Sequence, residues 1–394
     1  MEPFGDHPSD LPILGVALGE TQRLAFAAAG PPPHGLTLVL GDDTFVTSEL
    51  LRKLYAAASA AGGCLVLDGL LLEHIAPLQG LDIVDGAARL PVALVPAGAV
   101  ADSLADLAAL PELRVDAEVT EHPSDIRHPA FDHAQRPMPV TDVVAHRVDH
   151  WTHLHRVNLM ALVATAVGEK RRFDAQPWYK KLWEGLRLLL KARPRSKWDL
   201  AAAIGPRGKG CEVHPTATVE ASWLGDGVKI GPHAVVRGSW LGDGVKIGEH
   251  AEVNLTIAHA GAEIGRTATV NLSLLLPGAF VSNGFGHQAC VFGEQSFVAI
   301  GATFFDLSFG GPVKVWHRGE RVSSGTHFLG CCLGHRARIG PHVILNYGEA
   351  VPSDAFLVVD PTRIYRRIPE HLPPDTIHYL RDGQIVGVPR PKAS

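Results

Sequence analysis

Ser222-Trp-Leu-Gly-Asp-Gly-Val-Lys-Ile-Gly231 recurs as Ser239-Trp-Leu-Gly-Asp-Gly-Val-Lys-Ile-Gly248, 17 residues later. The step extends outward in both directions. Val213, Ile230, Ile247 and Ile264 keep it, as do Val219, Val236, Val253 and Val270, and a third series of Trp223, Trp240, Ile257 and Leu274. A period this short fits no common helical repeat, and it divides into three units of about six residues. One aliphatic side chain per unit turns inward, and Gly, Pro or Asp turns the corner. That pattern predicts a parallel β-helix of triangular cross-section, each coil burying its apolar rows under the next. The same beat returns at Leu333, Ile339, Leu345, Val351 and Leu357.

The remainder of the 394 residues leaves room for one or two further domains. Apolar residues make up 46% and charged residues 20%, the balance of a chain with a substantial core. A net charge of −5 argues against the chain as a whole being a nucleic-acid binder. No apolar run is long enough to span a bilayer, and no secretory pattern opens the chain. The cysteines (Cys64, Cys211, Cys290, Cys331 and Cys332) are odd in number and form no Cys-x-x-Cys spacing. Buried thiols in a reducing compartment are expected, hence a cytoplasmic location.

In the N-terminal third, Leu36–Leu40, Cys64–Leu67 and Val92–Val95 read as buried strands, with a helix over 48–61 between the first two. This rhythm predicts a mostly parallel α/β sheet. Asp42 and Asp43 then fall beyond the carboxyl end of a strand, where a carboxylate either holds a divalent ion or caps the following turn.

Pro12-Ile-Leu-Gly-Val-Ala-Leu-Gly-Glu20 and Leu36-Thr-Leu-Val-Leu-Gly-Asp-Asp43 resemble segments of the sugar-1-phosphate nucleotidyltransferases. The resemblance implies a Mg2+ ligand at Asp42 and, from the pair Val157-Asn158, a second at Asn158. A domain of that kind followed by a left-handed β-helix is similar to the bifunctional N-acetylglucosamine-1-phosphate uridyltransferase/glucosamine-1-phosphate acetyltransferases. The implied organisation is a degenerate nucleotidyltransferase-like α/β domain (1–165), a helical linker (166–210), the β-helix (211–368, with an excursion at 304–328) and a terminal hairpin and tail (369–394). One departure bears on activity. Eleven residues precede Pro12 and the first basic side chain is Arg23. A triphosphate needs a cradle of backbone N–H groups and cations, and neither has room here.

Seven histidines crowd residues 121–155: His122, His128, His133, His146, His150, His153 and His155. His150 and His153 share a helix face, but the set matches no zinc pattern, so a solvated surface is expected. From Arg171 to Lys209, eleven basic residues face three acidic ones. Within that stretch Tyr179, Leu182, Trp183, Leu186, Leu189 and Leu190 fall at helical spacing. A basic amphipathic helix over 178–193 suits either peripheral contact with an anionic membrane or packing on the first coil, and packing is the expectation. Pro194 then ends the helix.

Many hexapeptide-repeat β-helix proteins are trimeric acyltransferases that use acyl-CoA or acyl-carrier protein, with a His as general base between subunits. The resemblance therefore implies a homotrimer, an acetyl-CoA-type donor and a sugar acceptor. Candidate bases are His259, His287, His317, His327 and His335. His259 lies near an Ala-Glu-Ile-Gly stretch but out of the family's register. His287 sits in the glycine-broken segment Ser282–Gly293, with Glu294 to orient it and Asn283 to meet the sugar. Arg318 and Arg321, on a hairpin reaching over a neighbouring subunit, are candidates for coenzyme phosphates. Three functions remain open: acyl transfer to a sugar (the leading reading), nucleotidyl transfer, and a non-catalytic scaffold or sensor.

Overall fold

The structure, a computed structural model, describes residues 1–69, 82–99, 101, 103–122, 138–192, 205–284, 286–374 and 376–389. His128, His133 and Pro194 lie outside the described residues. From Glu212 to Leu357 the chain winds as a parallel β-solenoid. Val213 pairs with Ile230, Ile230 with Ile247 and Ile247 with Ile264, so the strands stack at the 17-residue step. Parallel sheets of eight, seven and five strands form the faces. Val219, Val236, Val253 and Val270 fill the interior with Ile230, Ile247 and Ile264. Each such burial contributes roughly 1.5–3 kcal/mol relative to exposure.

The third series behaves differently. Trp223, Trp240, Ile257 and Leu274 face away from the interior, which is filled instead by the next residues, Leu224, Leu241, Ala258 and Leu275. One face of the solenoid is therefore apolar on both sides and needs a second layer. A polar series also runs at the same step: the hydroxyls of Ser222, Ser239, Thr256 and Ser273 each accept the N–H of the residue one coil on, at Ser239, Thr256, Ser273 and Cys290. These buried hydroxyls thereby satisfy corner amides that no strand partner reaches.

The second layer comes from the N-terminal part. Helix α1 (Leu18–Ala29), α2 (Ser48–Ala57), the short α3 (Leu104–Ala108), α4 (Trp151–Asp174) and α5 (Trp178–Ala192) follow in order. Thr47 caps α2 by accepting the N–H of Leu50, and α2 buries Leu50, Leu51 and Leu54 against the sheet. The sheet order is Leu36–Leu40, Ala87–Pro96, Gly63–Asp68, Glu112–Asp116. The expectation of a mostly parallel sheet fails here. Only Gly63–Asp68 with Glu112–Asp116 is parallel; the other pairings are antiparallel. For one pair the cause is local: Asp85 and Gly86, both at positive φ, turn Asp82–Val84 straight back into Ala87–Pro96, and a tight turn dictates an antiparallel pair. This largely antiparallel sheet is not the parallel one that the nucleotidyltransferase resemblance implies.

Helix α4 lies against the apolar outer face. Trp151, Leu154, Val157, Ala161 and Leu162 share one buried cluster with Ile257, Leu274, Val291 and Cys332. The N-terminal segment joins it at Gly15, whose φ is +84° and where an added Cβ would come 2.8 Å from the Trp240 ring.

Strand Cys332–Leu333 stacks directly on Val291–Phe292; between them the chain completes its coil through Phe297–Val298 and Thr303–Phe304, then leaves the solenoid and returns. It forms the hairpin Lys314–His317/Glu320–Ser323. The hairpin folds onto the start of α4 of its own chain. The ring N–H of His150 donates to the Trp316 carbonyl (3.0 Å), and Arg318 pairs with Asp149 (3.3 Å).

Helix α5 also departs from expectation. Among the described residues, Trp178, Tyr179, Leu182, Trp183, Leu186, Leu189 and Leu190 join no core cluster and are exposed. Among the described residues no helix is long and apolar enough to cross a membrane. The terminal hairpin, Thr376–Arg381 with Gln384–Pro389, turns at Asp382-Gly383 as its sequence predicts.

Candidate functional site

The residues singled out in the β-helix do not assemble into a site. His287 pairs in register with Val270 and so continues the inward row of valines. Its ring lies between Phe292 (5.7 Å) and Phe304 (4.8 Å), with neither nitrogen hydrogen-bonded. Burial lowers its pKa to about 4. The glycine break is architectural: an added Cβ at Gly284 would sit 3.0 Å from Nε2 of His287. Glu294 does not orient this ring; its backbone N–H donates to Nδ1 of His335. Asn283 is half-buried, and its carbonyl accepts from Gly301.

His259 is buried against the Trp240 ring at 5.4 Å, without a hydrogen bond to its nitrogens, and burial lowers its pKa to about 3. His335 donates from Nε2 to Asp6 (2.6 Å) and tethers the N-terminus. His327 lies 3.3 Å from the Ser308 carbonyl. Arg318 and Arg321 are both committed to carboxylates, Asp149 and Glu349, and Arg321 also lies over Trp316.

The implied Mg2+ pair does not fit either. Asn158 is fully buried and all its hydrogen-bonding capacity serves the fold: Oδ1 accepts from the Leu14 N–H, and Nδ2 donates to the Pro12 and Leu154 carbonyls. Asp42 is exposed and meets only His7, at 3.5 Å, while Asp43 accepts from Arg147 and Thr44. Among the described residues no group of three or more His, Cys, Asp or Glu side chains is placed to hold a metal.

Chemistry-bearing residues do converge at the start of α4. The histidines there were expected to be solvated, yet His146, His150, His153 and His155 are all buried. His150 is the N-cap: Nδ1 accepts from the Thr152 N–H while Nε2 donates to the hairpin. His155 donates from Nε2 to the Leu272 carbonyl at a solenoid corner (2.5 Å). Burial lowers the pKa of each of these two to about 4.

His153 is different. Its Nδ1 lies 2.9 Å from Oδ1 of Asp149, one turn earlier, while the Asp149 N–H is 3.4 Å from the same nitrogen. Two lone pairs at 2.9 Å would repel, which favours the proton on Nδ1; the contact is an ion-pair approach and not an aligned hydrogen bond, since Oδ1 has no hydrogen-bond partner. That leaves the lone pair on Nε2, which has no hydrogen-bond partner. Burial lowers the His153 pKa, with Asp149 opposing, so the ring is neutral at pH 7. Burial alone would raise the Asp149 pKa, but His153 and Arg147 hold it below the usual carboxylate range.

His153 lines a cavity of about 180 Å³ between α4, the coil corner at Ala289 and the returning excursion. Thr152, Arg156, Ser324 and Thr326 line it too. Arg156 keeps its charge at neutral pH even though burial lowers its pKa to about 10. A neutral imidazole with a carboxylate against it, beside a half-buried cation, is suited to removing a proton and steadying the negative charge that develops. A larger concavity of about 520 Å³ lies between α1, α2 and α4, but its charges are engaged: Arg171 pairs with Glu49 and Asp142. The sequence signal for the dyad was the Asp149/His153 spacing at a helix start, obscured by the six other histidines of residues 121–155.

No protein-family model matches the chain. No curated protein matches it either. Among solved structures it is similar to a mutant of GDP-perosamine N-acetyltransferase from Caulobacter crescentus, in complex with CoA and GDP-perosamine. Identity is 16%, over 39% of this chain and 50% of that one, with a TM-score of 0.16. A polysialic acid O-acetyltransferase is similar at 15% identity, over 48% of this chain and 87% of that one, with a TM-score of 0.17. The chain spans half the length of the first of these, and both are acetyltransferases of sugars.

Proposed function

We propose that the protein is an acyltransferase, moving an acyl group from a thioester to a hydroxyl or amine of a small, sugar-like acceptor. One observation carries this reading: His153, a neutral imidazole with an unengaged Nε2 and with Asp149 against its Nδ1, lines a cavity that Arg156 also lines. In this role Nε2 takes the proton of the acceptor O–H or N–H as the acceptor atom attacks the thioester carbonyl carbon. The C–S bond breaks, and the thiolate leaves with the proton returned from Nε2. Arg156 faces the negative charge of the tetrahedral stage, and Ser324 and Thr326 offer hydroxyls to a polar acceptor. The donor is named only as a thioester, because Arg318 and Arg321 are paired with Asp149 and Glu349.

A second reading, a non-catalytic scaffold, is favoured by the two histidines that bind backbone carbonyls of the solenoid and its hairpin; on that view His153 is one more helix-to-solenoid contact. Thiol release from acetyl-CoA across a panel of amino and hydroxy sugars separates the two. Acyl transfer predicts turnover that falls at least ~100-fold in His153→Gln. Absence of turnover with every acceptor, or full turnover in His153→Gln, would sink the proposal.

A further inference from the structure

Helix α5 presents a face that nothing among the described residues covers. Leu182, Trp183, Leu186, Leu189 and Leu190 are 66, 68, 45, 50 and 68% exposed, with Trp178 at 76%. At 100° per residue these side chains, with Tyr179, occupy a single arc of about 140°. Arg187 and Lys180 border one edge of that arc, and Lys181 lies on the other side. The helix is anchored at its N-terminal end, where Lys181 Nζ donates to the Asp174 carbonyl (2.6 Å) and Gln176 to Glu184 (3.1 Å). The anchor fixes its attachment to α4 while leaving the apolar arc bare.

We infer that α5 is a peripheral membrane-binding helix, lying in the plane of an anionic lipid surface with the Trp and Leu side chains inserted. Charge complementarity selects this occupant. The stretch 171–209 carries eleven basic against three acidic residues in a chain whose net charge is −5. A second copy of the chain would bring the same positive charge to the contact, and a nucleic acid would leave the leucines in water. An anionic bilayer satisfies both the apolar arc and its basic borders. Trp178, Tyr179 and Trp183 add rings suited to the headgroup level.

The test uses the full chain and vesicles of phosphatidylcholine with or without phosphatidylglycerol. Co-sedimentation is expected with the anionic vesicles, at least about tenfold above that with phosphatidylcholine alone, and falling severalfold between about 0.1 M and about 0.5 M salt. Leu182→Asp combined with Trp183→Asp is expected to abolish binding, and Lys180→Glu with Arg187→Glu to weaken it about tenfold or more. All four side chains are mostly solvent-facing, so circular dichroism and Tm are expected to match wild type, which separates lost binding from lost folding. Wild-type chain remaining in the supernatant with anionic vesicles overturns the inference. So does a change of oligomeric state in Leu182→Asp/Trp183→Asp with no change in sedimentation, which would assign the face to a second copy.

Discussion

Oδ1 of Asp149 lies 2.9 Å from Nδ1 of His153, and Oδ2 of the same carboxylate lies 3.3 Å from Nη2 of Arg318. One side chain thus links the imidazole on α4 to the hairpin that leaves the solenoid. In acyl transfer, rate requires the neutral imidazole. Since burial lowers the His153 pKa, the acid limb of the pH–rate profile should lie below pH 6.5. Asp149→Asn removes an anion that favours the imidazolium, so the limb should shift further down while the rate on the plateau falls about 10- to 100-fold through loss of orientation. A limb that stays in place in Asp149→Asn rules out the dyad.

His287 and His259 make stability depend on pH. Their pKa values of about 4 and about 3 lie below the unfolded value near 6.5. Between these limits the unfolded chain binds protons that the folded chain refuses. Stability is therefore full above pH 6.5 and declines as acid is added, approaching about 1.4 kcal/mol per pH unit for each histidine. His287→Leu, which keeps an apolar filler between Phe292 and Phe304, should have a shallower Tm–pH curve from pH 7.5 to pH 5. Parallel curves for variant and wild type would refute this account.

Asn158 distinguishes a structural role from a metal-binding one. Its side chain holds the backbone of Pro12 and Leu14 to α4. Asn158→Ala should cost about 2–4 kcal/mol in denaturant unfolding, since it strands buried backbone groups. Millimolar Mg2+ should leave the wild-type Tm unchanged. A Mg2+-dependent rise in Tm that disappears in the variant would restore the metal reading.

Thiol reactivity should divide the cysteines. Cys64, Cys290, Cys331 and Cys332 are buried, and burial raises each thiol pKa, to about 11 for Cys64 and about 12 for Cys290. Cys211 is only half-buried. Iodoacetamide on the native protein, followed by peptide mass spectrometry, should modify Cys211 and spare the others until denaturant is added. Early labelling at Cys331 or Cys332 would contradict the packing described.

The solenoid was legible because inward side chains must recur wherever coils stack, and Val213 through Val270 spell out that recurrence. The series Trp223, Trp240, Ile257 and Leu274 held a second message: apolar residues at two successive positions mean a face covered on both sides, hence a docked helix. Sheet direction was less legible. Strands such as Leu36–Leu40 declare themselves by their apolar character, but whether neighbours run parallel depends on the connection, for one pair the Asp85-Gly86 turn. His287 misled because glycines around a histidine resemble a ligand loop, whereas Gly284 makes room for a ring turned inward. The dyad escaped notice because its cavity is completed by Ser324 and Thr326, far along the chain, and no local pattern records that closure.

Helix α4, laid across successive coils at Ile257, Leu274, Val291 and Cys332, also affects how the molecule comes apart. Stacked coils left to themselves can fray from an exposed end, each held only by its neighbours. A splint touching several rungs at once couples their fates, because peeling any one of them exposes part of a shared apolar seam. Amides along that face should therefore exchange with solvent as a single cooperative block, whereas those of the last turns toward Leu357, beyond the reach of the splint, open first.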